Sequence, residues 1–207
     1  MIRREFLTPD SAQAGSARDW SAADRSDVEA LLKSRDEASF RALYARHSPA
    51  LYALALRLLA DRTHDADDVL QECWIRAVAG LRDFVWQSQL RTWLAAILVN
   101  CCRELWRTAR EELDVHEIEV SAPNVDVGSR IDVANALATL PTGYRAVLVL
   151  HDIAGFTHDE IAEQLRIETG TSKSQLSRAR RAMRGLLGSA HAPPGSDSIV
   201  ESDPIVT

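Results

Sequence analysis

One short segment of the chain carries a dense set of positive charges that could bind a polyanion. The segment TGTSKSQLSRARRAMRGLL covers residues 169–187, and its cations are Lys173, Arg178, Arg180, Arg181 and Arg184. The whole chain has a formal net charge of −6, so this concentration is local. Cations grouped in this way on an acidic protein suit the phosphates of a nucleic acid. The alternative is an ordinary solvated helix face, and the residues before the segment bear on that choice.

Those preceding residues have the organisation of a helix-turn-helix. Thr157 and Glu160 have the Thr-x-x-Glu spacing of a capping box, which predicts a helix over residues 158–165. A turn at residues 166–170 follows, and then the basic helix. The second helix of such a unit presents its N-terminal residues to the major groove of DNA. The candidate contacts to phosphates and base edges are Thr171, Ser172, Lys173, Gln175, Arg178 and Arg181, whereas Leu176, Ala179 and Met183 are expected in the core.

A second set of polar residues has the opposite charge. The helix predicted over about residues 65–79 carries Asp65, Asp68, Gln71 and Glu72, and the last three share one face at three- and four-residue spacing. An exposed acidic face repels DNA, so it suits a basic protein surface better. The pattern therefore predicts a protein-binding site on this helix.

A third set combines cations with aromatic rings. A loop with Phe84, Trp86 and Gln87 precedes a helix predicted over about residues 90–110, whose arginines are Arg91, Arg103, Arg107 and Arg110. Arginines beside exposed aromatics suit single-stranded nucleic acid, because the cations follow the backbone while unpaired bases stack on the rings. For Trp93 within the helix, the alternative of a core residue is the stronger interpretation.

The elements that must position these residues are all predicted to be helices. Helical spacing starts near Val28, Ser48 and Pro49 have the features of a helix start, and no strand pattern occurs in the first half. Residues 111–132 contain seven acidic residues against one arginine and read as a linker up to about residue 130. We therefore predict an all-α protein with two small domains, of which the second is a helix-turn-helix. The predicted parts are a flexible arm (1–26), a helical domain (27–110), an acidic linker (111–130), the helix-turn-helix domain (131–189) and a flexible tail (190–207).

Composition and motifs argue against several other classes of protein. The sequence contains no run of about 18 uncharged apolar residues, so no membrane span is expected. The N-terminus does not resemble a secretory signal. Cys73, Cys101 and Cys102 lack the paired spacing of a zinc site, are expected to be small buried residues, and fit a reducing cytoplasm. The histidines form no recognisable catalytic set with Ser or Cys, and no glycine-rich phosphate loop occurs. We expect a cytoplasmic protein without enzymatic activity, cofactor or metal.

Three motifs in order resemble one family, the extracytoplasmic-function group of bacterial RNA polymerase sigma factors. They are DADDVLQE at residues 65–72, LRTWLAAILVN at 90–100, and the LP, GFTHDEIAEQL and GTSKSQLSRAR pieces within 140–180. The similarity covers about residues 28–110 and 131–188. It implies a protein that works within RNA polymerase holoenzyme and directs promoter recognition and initiation.

The resemblance also implies a role for each surface. In the family, the acidic helix docks on the beta-prime clamp helices of core RNA polymerase. The beta subunit of the polymerase is a further expected partner. The segment from Phe84 to Arg110, including Asn100, would melt and read the minus-10 promoter element, with a flipped base held by the loop at residues 84–89. The basic helix would read the duplex minus-35 element, and the acidic linker would enter the RNA path of the polymerase. An anti-sigma factor is a possible further partner.

The chain departs from the family pattern at a few positions. Ser172 and Gln175 stand where the family usually has Val and Arg, and Leu90 replaces the usual Phe. The change to Gln175 should weaken a phosphate or guanine contact, so minus-35 specificity is expected to be unusual. Two rival functions remain open from the sequence: a stand-alone helix-turn-helix regulator, and an adaptor that binds polymerase or a membrane-bound regulator without reading DNA.

Overall fold

The computed structural model describes residues 22–60, 62–115 and 133–189, and every regular element within these residues is helical. The all-α prediction is therefore confirmed. The predicted arm up to residue 21, most of the acidic linker and the predicted tail lie outside the described residues. The α-helices, numbered in chain order, are α1 (Ala22–Ser34), α2 (Glu37–Leu58), α3 (Thr63–Gly80), α4 (Leu90–Val115), α5 (Val133–Thr139), α6 (Thr142–Leu148), α7 (His158–Leu165) and α8 (Thr169–Ser189).

The first four helices pack around one apolar core. Helix α2 contacts α1, α3 and α4, and α3 packs along α4. Burial is complete or nearly so at the residues where these helices meet, which include Leu43, Leu58, Cys73, Leu94 and Leu98. Burial of such side chains contributes about 1.5–3 kcal/mol each relative to exposure. This core fixes α3 and α4 as rigid supports for the polar residues on their outer faces.

The start of α2 differs from the prediction. The structure does not start a new helix at Ser48 and Pro49, because α2 runs unbroken from Glu37 with Pro49 inside it. Asp36 is the N-cap instead, and its Oδ2 accepts a hydrogen bond of 2.9 Å from the Ser39 amide. A proline inside a helix removes a donor for the carbonyl four residues earlier. That carbonyl belongs to Ala45, an exposed residue, while Leu43 and Leu51 on either side of Pro49 are buried in the core, so the helix continues.

Helix α1 starts inside the predicted arm, and α4 extends past its predicted end. The first helix already includes residues 22–26, where its Asp24 is held by ion pairs to α2. The fourth helix continues to Val115, five residues beyond Arg110 and into the predicted linker. A run of glutamates and leucine without Gly or Pro at residues 111–113 supports this extension, since these residues are good helix formers.

Helices α5 to α8 form the second unit, in which the predicted helix-turn-helix is present. The capping box is realised: the Thr157 side chain accepts from the Glu160 amide, and the Glu160 carboxylate accepts from the Thr157 amide at 2.8 Å. Helix α6 passes into a π-helical segment, Val149–Ile153, and Gly155 then adopts a φ of +76°, which favours glycine. Helix α8 begins at Thr169, two residues before Thr171 and within the predicted turn.

Two arginines hold the second unit against the first. Arg145 on α6 is buried, and its Nε donates to the carbonyl of Leu58 at the end of α2 (3.1 Å), while Nη1 donates to the carbonyls of Ala138 and Leu140. On the other side, Arg103 Nη1 on α4 donates to the Gln164 carbonyl on α7 at 3.0 Å. Burial lowers the pKa of both guanidinium groups, so each contact is made by a charged group partly withdrawn from water.

We expect Arg145→Met to lower the free energy of unfolding by about 3 kcal/mol, because three backbone carbonyls lose a charged donor in a buried place. Urea denaturation of the full chain measures this change. Arg57→Met is a suitable control, since Arg57 is exposed and, within the part of the chain that the structure describes, donates to the Ala53 carbonyl of its own helix. The control should change stability by about 0.5 kcal/mol or less. Equal stability of the two variants would contradict this role of Arg145.

The three thiols lie in the core, as expected of small buried residues. Cys73, Cys101 and Cys102 are all buried and unbridged. Burial raises the pKa of Cys101 to about 11 and that of Cys102 to about 12, and it raises the pKa of Cys73 further. Thiolate, the reactive form, is therefore scarce at neutral pH.

Across residues 22–60, 62–115 and 133–189, no helix combines the length and apolar character that a membrane span requires.

Candidate functional site

The acidic surface, defined as Asp68, Gln71 and Glu72 on α3, lies on the outer side of the first domain. The Asp68 side chain is 67% exposed and sits 3.6 Å from His64 one turn earlier, while Gln71 is exposed. Asp65, predicted for the same surface, is half-buried and paired with Arg62 just before the helix. That pair places a negative charge at the N-terminus of α3, where the helix dipole favours it. Asp68 and Gln71 are therefore the most accessible members of the predicted set.

Glu72 belongs to a network that joins α3 to α4. Its Oε1 accepts from Arg76 Nε at 2.6 Å, and the same guanidinium makes two further hydrogen bonds to Glu104, at 2.9 and 2.7 Å. Hydrogen bonding from Arg76 is the main cause that lowers the pKa of Glu104. The bidentate geometry makes this one of the stronger kinds of ion pair. Glu72 thus supports the packing of the two helices in addition to facing outward.

The sequence prediction missed an apolar extension of this surface. Ile75 and Val78 are 57% and 45% exposed, large fractions for aliphatic side chains. They continue the spacing of Asp68 and Gln71 at four and three residues, so all four lie along one stripe of α3. Exposed apolar residues next to a polar set are characteristic of protein-binding sites. The same three- and four-residue spacing along α3 is the sequence signal for these two residues.

The aromatic surface consists of Phe84, Trp86 and Trp93 at the start of α4. The rings of Phe84 and Trp86 lie 4.8 Å apart between centroids, and those of Phe84 and Trp93 lie 4.9 Å apart. Trp86 has a φ of +55°, a left-handed conformation that is rare for a bulky residue and points to a constrained loop. Leu81 and Leu90, both buried, anchor the two ends of this loop in the core. Trp93, half-buried, packs against the core and also contacts the loop.

The arginines predicted for this site do not all lie together. Asn100 and Arg107 follow Trp93 at seven-residue steps, so the three lie on one side of α4. Arg91 lies nine residues before Asn100, which places it on the opposite side, and there it borders a cleft between the two domains. Arg103 donates from Nη1 to the Gln164 carbonyl, which restrains its guanidinium against α7. Gln87 is exposed in the loop, and Arg110 belongs to α4 near its end.

The basic surface on α8 is defined by Lys173, Arg178, Arg181 and Arg184. All four are exposed, while Leu176 and Ala179 are buried on the opposite side of the helix. Met183 is half-buried and packs against the core, as predicted. Arg178 Nη1 donates to the Tyr144 hydroxyl at 3.3 Å, which orients that side chain along the surface. Thr171, half-buried, lies in the first turn of the same helix. This surface presents several cations on one side of a helix, as phosphate binding requires.

Two residues predicted as DNA contacts are instead used in packing. Ser172, predicted as a DNA contact, has a relative exposure of 0%, and its hydroxyl is hydrogen-bonded to His158 Nδ1 at 2.9 Å. Gln175 is half-buried, and its side-chain amide packs closely against Gly143. A Cβ atom added to that glycine would stand 3.4 Å from Gln175 Nε2. Both residues lie where α8 contacts neighbouring helices. Residue spacing within one helix cannot predict such contacts.

Arg180 differs from the other arginines of α8 because it is bound to an acid. Its Nε donates to Asp152 at 3.0 Å and its Nη2 donates to the same carboxylate. This pairing is the main cause that lowers the pKa of Asp152. Asp152 also contacts His151 Nδ1 at 2.8 Å, and the His151 ring stacks on that of His158 with centroids 4.7 Å apart. Arg180 therefore ties α8 to the preceding helices.

Comparisons with known proteins place both units in one family. The family described as Sigma-70 region 2 matches residues 43–112, and the family described as Sigma-70, region 4 matches residues 130–183. The chain is 34% identical over 172 residues to the ECF RNA polymerase sigma factor SigM of Mycobacterium tuberculosis, covering 80% of this chain and 86% of that protein. It is 32% identical to the RNA polymerase sigma factor CnrH of Cupriavidus metallidurans, covering 77% and 92% of the two chains.

Solved structures of similar proteins agree with the fold. The sigma factor RpoE of Bartonella quintana, in complex with the anti-sigma factor NepR, matches with a TM-score of 0.57 at 28% identity, covering 72% of this chain and 96% of that one. CnrH in complex with the cytosolic domain of CnrY matches with a TM-score of 0.54 at 31% identity, covering 80% and 97%. Both are chains whose whole length is nearly covered, so the similarity extends over both domains.

Proposed function

Because the chain belongs to the extracytoplasmic-function group of RNA polymerase sigma factors, we propose that it binds core RNA polymerase and directs promoter recognition and transcription initiation through minus-10 and minus-35 contacts. The observation that carries this function is the presence of both sigma regions, 2 and 4, on one chain. The family consists of transcription initiation factors rather than enzymes, and we propose that this chain catalyses no reaction itself. We place it in the cytoplasm, where polymerase and promoter DNA meet.

The acidic surface is proposed to bind the beta-prime clamp helices of the polymerase. Asp68 and Gln71 are exposed and offer a negative and a hydrogen-bonding group, while Ile75 and Val78 offer apolar area beside them. Charged groups steer the encounter of two proteins, and a central apolar patch supplies affinity. An acid-plus-apolar stripe fits a basic helical partner with exposed aliphatic residues. The beta subunit of the polymerase is a further proposed partner.

The aromatic surface is proposed to hold the melted minus-10 strand. Its three rings are grouped within contact distance, and Asn100 and Arg107 lie on the same side of α4 as Trp93. Stacking of a base on an aromatic ring contributes about 1–3 kcal/mol, which offsets the cost of removing it from the duplex. The Asn100 amide can both donate to and accept from a base edge. Arg91 and Arg103 are less suited to this site, because Arg91 lies on the opposite side of α4 and Arg103 donates to the Gln164 carbonyl.

The basic surface is proposed to contact the duplex minus-35 element. Its N-terminal part supplies Thr171 and Lys173, and Arg178 and Arg181 follow along the exposed side. Since Ser172 and Gln175 are used in packing, we assign them no DNA contact in this arrangement. Phosphate contacts position the helix, and the few exposed polar groups near its start read bases.

We expect Lys173→Ala with Arg181→Ala to weaken duplex binding by about tenfold and to reduce the slope of log affinity against log salt by about 1.8, because two phosphate contacts are lost. Fluorescence anisotropy with a labelled duplex, measured at several salt concentrations, gives both quantities. Arg180→Ala is the control on the same helix: it removes one positive charge, so a nonspecific charge effect would give about half of the change seen in the double variant, but its guanidinium faces Asp152 and no loss of slope is expected. A slope unchanged by the double substitution, or a loss of about half that size in the control, would contradict the proposed surface.

The function as a whole is tested by run-off transcription with purified core polymerase on a promoter library. The proposal expects transcripts from a defined subset of promoters only when the chain is added. The comparisons do not favour a stand-alone regulator, since its first domain would have no reason to match sigma region 2. A chain that occupies its DNA sites tightly and alone, yet is indifferent to core enzyme, would refute the sigma function.

An anti-sigma factor is proposed as a further partner. The similar RpoE chain is in complex with the anti-sigma factor NepR. In this chain, a cleft of about 670 Å³ lies between α2, the start of α4 and the residues around Phe156. Along α2 it is lined by Ala50, Leu51, Ala53 and Leu54 together with His47 and Arg57, and Arg91 and Glu160 contribute further polar groups. Such a cleft suits an amphipathic helix of a protein partner.

A further inference from the structure

An arginine from the first helix covers the aromatic surface. The guanidinium carbon of Arg25, on α1, lies 4.7 Å from the centroid of the Trp86 ring. Phe84 contacts Trp86 as well, and Trp93 lies beyond Phe84. The four side chains thus form a connected series with the cation at one end. Arg25 lies in the segment that the sequence predicted to be a flexible arm. The sequence therefore gave no indication that Arg25 contacts the loop.

The backbone that carries Arg25 is fixed to the core of the first domain. Asp24, the preceding residue, is buried and accepts from Arg46 Nη1 at 2.6 Å, with His47 Nε2 at 3.0 Å on the same oxygen. Asp27, two residues later, accepts from Arg46 Nη2 at 2.8 Å. These contacts attach the first turns of α1 to α2 on both sides of Arg25. The guanidinium is therefore presented at the loop by a positioned helix while remaining exposed itself.

An exposed cation at an aromatic cluster can have two roles. A cation–π contact alone stabilises the loop by about 0.5–1 kcal/mol at an exposed site. Sites for single-stranded nucleic acid, however, combine stacked aromatic rings with cations that follow the phosphates. A guanidinium is well suited to both because it stacks on rings through its face and donates to phosphate through its edge. The position of Arg25 next to the loop brings a cation within one side chain's reach of any base stacked there.

We propose that Arg25 is part of the single-strand binding site, where its guanidinium contacts the backbone phosphate next to the base that stacks on the Phe84–Trp86 loop. Helix α1 is thereby a part of the surface that holds melted DNA. This inference rests on the proposed function of the aromatic surface and adds a residue that spacing within the loop and α4 did not include. One phosphate contact to a single strand corresponds to a salt slope of about 0.7.

The test uses the full chain and a fluorescein-labelled pool of random-sequence single-stranded 20-mers, with anisotropy measured at several sodium chloride concentrations. We expect Arg25→Ala to weaken binding about fivefold at 0.1 M salt and to reduce the slope by about 0.7, because one ionic contact is lost. Arg25→Lys should keep the slope of the wild type, since the charge remains. Lys33→Ala, on the same helix and with the same loss of charge, should match the wild type, because Lys33 pairs with Glu29 away from the loop.

The outcomes separate this inference from the function on which it rests. If Arg25→Ala lowers the thermal stability but leaves the salt slope as in the wild type, Arg25 only supports the loop and the inference is wrong. The same holds if Lys33→Ala changes the slope equally, since the effect would then be one of net charge. Trp86→Ala is the reference: if it weakens binding while Arg25→Ala does not, only this inference fails. If neither substitution has an effect, the aromatic surface itself does not bind single strands.

Discussion

Asp68→Arg combined with Gln71→Arg is expected to lower the affinity for core RNA polymerase by about hundredfold or more. Both side chains are exposed on α3, and the substitutions place two cations on a surface proposed to face basic residues. Juxtaposition of like charges across an interface costs several kcal/mol, and about 2.7 kcal/mol corresponds to a factor of a hundred. A pull-down or surface-immobilised binding assay with purified core enzyme measures the effect.

The structure determines which residues this test should change. Reversing the charge of Glu72 would put a cation next to Arg76 and disturb its bonds to Glu104, so a loss of binding could reflect altered helix packing. Asp68 and Gln71 are outside that network. Glu29→Arg, on the exposed side of α1, is the control for a reversed charge elsewhere in the same domain. Wild-type affinity of the double variant, with an unchanged helical spectrum, would show that polymerase docks on a different surface.

Helical spacing and capping chemistry were enough to predict most of the fold. Residues with strong local signals, such as Thr157 and Glu160, form the contacts that their spacing indicates. Pro49 shows where local chemistry misleads: a proline after a serine reads as a helix start, yet core contacts on both sides of it keep α2 continuous. Tertiary packing outweighs the loss of one hydrogen bond when the freed carbonyl lies on an exposed residue.

The candidate surfaces were predictable to the extent that each lies on a single element. The acidic stripe of α3 and the exposed cations of α8 follow from three- and four-residue spacing alone. Ser172 could not be assigned in this way, because its burial depends on His158, fourteen residues earlier in the chain. Likewise, Arg103 meets a carbonyl sixty-one residues away, and Arg25 meets Trp86 from a helix that the sequence did not reveal. Contacts between distant segments require the folded structure.

Contacts between the two domains use arginines that could otherwise contact DNA or another partner. Arg103 is held by the α7 backbone, and Arg145 joins α6 to the end of α2. The carbonyl groups that accept these bonds carry no formal charge, so a phosphate is a stronger partner for Arg103 than the one it has here. By contrast, the ring and cation contacts described for the aromatic surface join α1, the loop and α4, and Asn100 lies on the same side of α4 as Trp93. The clearest test of strand melting therefore uses those residues.

Asn100→Ala combined with Trp86→Ala is expected to reduce the amount of open promoter complex by about hundredfold, while the first, closed complex forms with nearly wild-type affinity. The ring offers a stacking surface of about 1–3 kcal/mol for an unpaired base, and an amide that pairs with a base edge contributes a similar amount. These contacts exist only once a base has left the duplex, so their loss acts on opening rather than on initial binding. Permanganate reactivity of thymines near the minus-10 element measures opening, and gel shift at low temperature measures the closed complex.

Thr108→Ala is the control on the same helix, because Thr108 is exposed and, among the described residues, its hydroxyl donates to the Glu104 carbonyl one turn earlier. Each single substitution should show an intermediate loss, since the stack and the amide contact act on the same strand but on separate groups. Trp86 has a left-handed backbone, so the loop must keep its conformation with alanine at this position. The near-ultraviolet circular dichroism spectrum, to which Phe84 and Trp93 contribute, reports whether the aromatic packing is kept. Permanganate patterns as strong as those of the wild type in a correctly folded double variant would place strand melting elsewhere on the chain, and with it the contact that we assign to Arg25.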